Sequence, residues 1–219
     1  MMPDLVTPQE SGDENRLTAL ALLAQQVRDL VDAVVLTDVG EEELKAVTAE
    51  VGALTDRLLT ARRPSPLPHE IGPDGRFRNL GNAVTGGCNP HALPLVMDRT
   101  AEEGSRAEIA FRPVHEGPPA SVHGGVSAMI LDHMLGDAVA VSGRAGVTGT
   151  LTIKYRRPVP YGEPLVARSA VSRAEGRKTW VQGTIASPEG TTLVEATGLF
   201  ITPSRWLNGD GPVEGSVNA

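Results

Sequence analysis

Apolar residues follow two different periods in this chain. From Arg16 to Val35 they recur at helical spacing, and beyond that Leu44, Val47, Val51, Leu54 and Leu58 step by three and four, as in a coiled-coil seam. Thr37, Asp38 and Gly40 separate the two runs. The expectation is an N-terminal helical hairpin over 16–62, charged outside and packed on the main domain or on another subunit. Residues 1–15 are polar and acidic and read as a flexible arm. The Pro- and Gly-rich stretch Ala61 to Arg76 puts a linker over 63–78.

In the main domain, Ala92–Met97 and Arg106–Arg112 read as short strands. Val126 to Val141 follows, rich in Met, Ile, Leu, Val and Ala, and predicts a helix apolar nearly all round. Such a helix sits inside a fold, and it carries Asp132 in with it. A buried unpaired carboxylate costs several kcal/mol, so Asp132 needs a partner, a proton or a purpose. After the helix the period becomes two. Val147, Gly149, Leu151, Ile153 and Tyr155 mark a core face, and Thr148, Thr150, Thr152, Lys154 and Arg156 a polar one. Leu165–Ala174, Lys178–Ala186 and Thr191–Ile201 continue as a meander of antiparallel neighbours, with Ser187–Gly190 as the last turn. The fold class this predicts is α+β, an antiparallel sheet curled around one long helix, ending in a disordered tail over 205–219.

Length and composition narrow the function. A chain of 219 residues suits one domain with an extension. Its net charge of -7 argues against a nucleic-acid partner, and 3% aromatics removes the stacking platforms of single-strand binders. Cys88 is the one cysteine, so no internal disulfide forms and a reducing, cytoplasmic setting is expected. The N-terminus lacks the basic start and apolar core of a signal peptide, no run reaches membrane-spanning length, and no membrane association is expected. HExxH, CxxC, GxSxG, Walker and GxGxxG patterns are absent, so neither a metal nor a nucleotide cofactor is expected.

The remaining candidates cluster at Ser121–Gly136. His123-Gly124-Gly125 ahead of a helix reads either as a tight turn, with His123 capping, or as an oxyanion site made of amides at the positive helix end. Asp132 reads either as a structural carboxylate or as a nucleophile or base, and His133 and Asp137 as an ordinary helical pair. Eight residues place Gly124 and Asp132 about 12 Å apart along one helix, too far to act on one carbonyl. Antiparallel helices from two subunits would face the glycine of one with the aspartate of the other, which makes a homodimer part of the mechanism.

HGGVSAMILDHMLG, His123 to Gly136, followed by TGTLTIKYRRPVPYGEPL, Thr148 to Leu165, resembles the PaaI-like branch of the hotdog-fold acyl-CoA thioesterases, relatives of the 4-hydroxybenzoyl-CoA thioesterases. The likeness runs from about residue 79 to residue 204. It implies a hotdog domain over 79–204 that hydrolyses an acyl-CoA to free acid and CoA, as a dimer or dimer of dimers, with coenzyme A entering as part of the substrate. It also implies roles: Asp132 as nucleophile or general base, Gly124 N–H as oxyanion donor from the facing subunit, His123 orienting that turn or a water, and Thr148 holding the carboxylate or the water. No Asn precedes the HGG in Pro113–Ser121, where His115, Glu116 or Ser121 could stand in. Gly125 and Met129 are expected at the substrate, with Met134 and Leu135 lining the acyl slot. Arg156 and Arg157 are candidates for the CoA phosphates, as are Arg177 and Lys178. A non-catalytic acyl-CoA-binding or regulatory protein is the main alternative, and a hotdog hydratase or dehydratase a third.

Overall fold

The computed structural model describes residues 14–72, 77–93, 95–100 and 104–206. Residues 1–13 of the expected arm over 1–15 and 207–219 of the expected tail over 205–219 lie outside them, and residues 14 and 15 belong to the first helix. Helix α1 spans Glu14–Leu36 and α2 Glu41–Leu59, and β1 (Glu70–Ile71) and β2 (Phe77–Arg78) form a small ribbon. The main domain comprises β3 (Met97–Thr100), β4 (Gly104–Ile109), α3 (Gly124–Val141), β5 (Val147–Tyr155), β6 (Leu165–Glu175), β7 (Lys178–Ala186) and β8 (Thr192–Ile201).

Its six strands form one antiparallel sheet in the order β3-β4-β6-β7-β8-β5. Two corrections follow. The first predicted strand, Ala92–Met97, begins only at Met97, since the chain before it is occupied by turns from Leu80 to Ala92 that are closed by the main chain. The meander covers β6 to β8 but not β5, which pairs with β8 at the far edge. The segment after Tyr155 explains this. Val159 accepts the Val122 N–H at 2.8 Å, so the connection crosses the entrance to α3 before β6 begins. Gly176 at φ 53° then lets the two-residue turn from Glu175 to Lys178 bring β7 back beside β6.

Helix α3 touches all six strands. By length and mean hydropathy, 1.2, it could cross a membrane, contrary to the sequence expectation, but it lies along the sheet instead. Its sheet-facing stripe is Ser127, Ile130, Leu131, Met134, Leu135, Ala138 and Val139, all buried. Facing them are Ile109, Leu165, Val181, Ile185, Val194 and Phe200. Each large side chain buried in this way contributes about 1.5–3 kcal/mol. Close approach depends on glycine. A Cβ on Gly183 of β7 or Gly198 of β8 would come within 3.0 Å of a Leu135 methyl. The expectation of burial all round is corrected, because Val126, Met129, Asp132 and His133 occupy a half-buried flank.

The two N-terminal helices form, but differently from the expected packed hairpin. α1 docks through Leu17, Ala24 and Arg28, while α2 buries no residue, leaving Leu44, Leu54 and Leu58 about half exposed. Buried Arg28 donates to three main-chain oxygens: Ala92 at 2.9 Å, Gly87 at 3.0 Å and Asn89 at 2.9 Å. Arg112 adds ion pairs to Asp29 and Asp32 of α1. Within the expected linker over 63–78, of which 73–76 lie outside the described residues, Arg78 of β2 binds both buried Glu70 of β1 and Glu14 of α1.

Candidate active site

The open flank of α3 is covered in part by β5. Thr148 donates its hydroxyl to an Asp132 carboxylate oxygen at 2.9 Å, and Tyr155 donates its hydroxyl to the Gly124 carbonyl at 2.9 Å. Strict alternation would put Thr148 and Tyr155 on opposite faces, and the sequence reading did so. The structure corrects this with a bulge. Thr148 pairs with Phe200 and Thr150 with Leu199, so Gly149 is an extra residue that inverts the parity of the strand. Thr148, although even-numbered, therefore shares the helix-facing side with Leu151, Ile153 and Tyr155.

At the helix entrance, His123 is the N-cap, and its Nδ1 accepts the Gly125 N–H at 3.0 Å. Its own N–H donates to the His115 carbonyl at 2.8 Å, tying the turn to the preceding loop. The Gly125 amide, expected at the substrate, is thus engaged within the turn. Among the described residues the Gly124 N–H has no hydrogen-bond partner, and it opens α3, where the helix dipole favours negative charge. A side chain here would crowd Tyr155, since a Cβ would lie 3.0 Å from its ring and push it away from the Gly124 carbonyl it binds.

Other candidates lie elsewhere or have different partners. His133 and Asp137 do not pair. Asp137 is held by the Arg99 guanidinium, at 2.8–3.0 Å, and by the Ser105 hydroxyl, while His133 Nε2 lies 3.3 Å from the Thr85 hydroxyl. Burial pushes the His133 imidazole below its ordinary pKa, against a smaller opposing pull from Asp137. Met134 and Leu135, expected at the acyl slot, are fully buried against the sheet and cannot line it, whereas Met129 borders a cavity beside α1. Arg156, just past Tyr155, pairs with Glu195 at 2.8 Å, and Arg157 donates to the Thr192 carbonyl at 3.2 Å. Arg177 and Lys178 sit at the β6–β7 turn, near the Val147 end of the sheet. Of the possible stand-ins for the missing Asn, Glu116 accepts the Tyr161 hydroxyl, Ser121 lends its carbonyl to Gly117, and His115 Nδ1 accepts the Arg112 N–H at 3.0 Å.

Sequence reasoning missed two contributors. Tyr155 was assigned to the core face, and its signal is a hydroxyl-bearing aromatic in a strand beside a helix entrance. Arg28 lies eleven residues after Leu17 and four after Ala24, so it is a cation in the buried stripe of an amphipathic helix.

A single helix in contact with every strand of an antiparallel sheet, with Gly124 at its start and the Asp132–Thr148 pair near its middle, defines a hotdog fold with one polar cluster. The sequence profile of the thioesterase superfamily matches residues 120–194, which include that cluster. A crystal structure described as a thioesterase superfamily protein is 32% identical and superposes with a TM-score of 0.75, covering 83% of this chain and 94% of that one. The chain belongs to the thioesterase superfamily. Among curated proteins, the acyl-coenzyme A thioesterase THEM4 of Mus musculus is 41% identical over 87 residues, 39% of this chain and 37% of that protein. The Xenopus laevis THEM4 protein is 37% identical over 90 residues, 41% of this chain and 40% of that protein. The match thus spans well under half of these curated relatives.

Proposed function

We propose that this protein hydrolyses an acyl-CoA thioester to the free acid and CoA, using two equivalent sites shared between the subunits of a homodimer. The observation that carries the reading is the Thr148 hydroxyl donating to Asp132 at 2.9 Å on a flank of α3 that the chain's own core leaves half open. That bond aims the carboxylate and leaves its other oxygen for chemistry. Asp132 attacks the thioester carbonyl or takes a proton from the attacking water. The Gly124 N–H of the facing subunit receives the developing oxyanion, and His123 holds the turn that presents it. Collapse of the tetrahedral intermediate breaks the C–S bond, and the thiolate leaves to take a proton from solvent; where Asp132 is the nucleophile, water then cleaves the acyl–Asp132 anhydride to release the acid and restore the carboxylate. The separation of about 12 Å along one helix supports the two-subunit arrangement, since one chain cannot bring both groups to one carbon. Arg156 and Arg157, at the Tyr155 end of β5, serve the CoA phosphates by exchanging their present partners. The single cysteine supports a reducing, cytoplasmic setting.

The test is thiol release from a panel of acyl-CoA thioesters by wild type and Asp132→Asn in parallel. Turnover should fall about 10²- to 10⁴-fold in the variant, with its oligomeric state unchanged. Equal hydrolysis by the two proteins would overturn the reading.

A further inference from the structure

Between α1 and the first two turns of α3 lies a cavity of about 390 Å³, within the roughly 300–1,000 Å³ of small-ligand sites. Its apolar lining is Val27 and Val31 from α1, Leu93 and Val114 from the loops, and Val126 and Met129 from α3. We propose that this cavity is the acyl-chain chamber, and that Val27 and Val31 of α1 set the length and bulk of the acyl group it admits. The inference rests on the thioesterase reading above and deepens it.

Position is the first argument. Val126 follows Gly124 by two residues, and Met129 precedes Asp132 by three, so the chamber borders the stretch of helix between the two reactive positions. A thioester carbonyl held between Asp132 and the Gly124 N–H of the facing subunit would lie about one helical turn from Met129, with its hydrocarbon end beside the cavity. Rigidity is the second. Arg28 fixes α1 through its three carbonyl acceptors and Arg112 through two aspartates, so the wall formed by Val27 and Val31 is anchored from both sides. The third is charge. Of the two guanidiniums that line the cavity, Arg28 is held by the Ala92, Gly87 and Asn89 carbonyls and by Gln25, and Arg112 is paired with Asp29 and Asp32, while His91, which also lines it, has Nδ1 2.9 Å from the Ala83 carbonyl. Burial also holds the imidazole of His115, which lines the cavity, below its ordinary pKa and so neutral near pH 7. An acyl group ending in a carboxylate would have to displace one of these existing partners or shed its water against apolar side chains. The chamber therefore takes uncharged, apolar acyl groups.

The experiment compares wild type with Val31→Phe, Val27→Phe and Val31→Ala, using acetyl-, hexanoyl-, dodecanoyl- and adipoyl-CoA. Val31 is 40% exposed, so its variants spare the core. Expected are a fall of about tenfold or more in the dodecanoyl-to-acetyl ratio of kcat/KM for either phenylalanine variant, and a rise for Val31→Ala. Hexanoyl-CoA should exceed adipoyl-CoA by a similar factor in wild type. Ratios unmoved in all three variants would overturn the inference, as would equal use of hexanoyl- and adipoyl-CoA. If wild type cleaves none of the four, the activity reading fails separately, and dodecanoic acid becomes the probe. Thermal stabilisation of wild type but not of Val31→Phe then keeps the chamber, and equal or absent stabilisation removes it.

Discussion

Thr148 shows how far one hydroxyl can be followed. Its bond to Asp132 is charge-assisted, a class worth about 1.5–3 kcal/mol. Thr148→Val keeps the β-branched shape and removes the donor, so kcat should fall by about ten- to a hundredfold with little change in thermal midpoint. A variant with wild-type kcat would detach Thr148 from the reaction. The role of Thr148 as a partner of the carboxylate came from family resemblance, while its direction did not. The inversion at Gly149 is invisible to a period-two reading, because a bulge is set by how β8 pairs and not by any hydrophobic pattern.

Two histidines set a pH limit. His133 and His115 are both held below their ordinary 6.5 by burial, so they are neutral in the folded chain and protonate first in the unfolded one. Above about pH 6.5 they add no pH dependence. As pH falls below that, toward their lowered folded-state values, the unfolded state binds more protons and stability is lost. Denaturant titrations from about pH 7.5 down to about pH 5 should show this decline, and His133→Asn should flatten part of it. A decline equally steep in that variant would assign it elsewhere.

Among the elements, α3 was the most legible, because a Pro-free, largely apolar run between HGG and Gly143 admits little else. Its exposed flank was not, since composition marks a helix as apolar without saying which residues the sheet covers. Packing against β7 and β8 decided that, and it supplies a test. Gly183→Ala forces a methyl against Leu135 and the Arg168 carbonyl, and Gly198→Ala one against Leu135 and the Phe200 ring, and each should cost about 1–3 kcal/mol. Leu135→Ala alone should cost about 2–5 kcal/mol. In the Gly183→Ala/Leu135→Ala double variant the costs should sum to less than the two separately, as shown by chemical denaturation. Strict additivity would mean that the contact does not limit how closely the helix approaches. The helical spacing of α2 was equally plain in the sequence, yet a seam at coiled-coil spacing specifies an apolar stripe and not its cover.

For the molecule as a whole, the sequence indicated one helix within an antiparallel sheet but not the strand order, because β5 and β8 meet only after the chain has crossed the entrance to α3. The docking of α1 was similarly hidden. Arg28→Met should strand three carbonyls and cost about 2–4 kcal/mol, lowering the thermal midpoint by roughly 4–16 °C. Scanning calorimetry would show it, and an unchanged midpoint would mean that α1 is loosely held.

Because Arg28 and Arg112 clamp α1 over Val126 and Met129, the proposed chemistry and the proposed selectivity draw on separate lengths of polypeptide, one after residue 120 and the other before residue 40. A recombinant without the two N-terminal helices would keep every group proposed to touch the scissile bond, yet open one side of the cleft to water. Exchanging the leading helix for another sequence would, by the same logic, shift which acyl groups the proposed site admits while leaving its proposed chemistry alone.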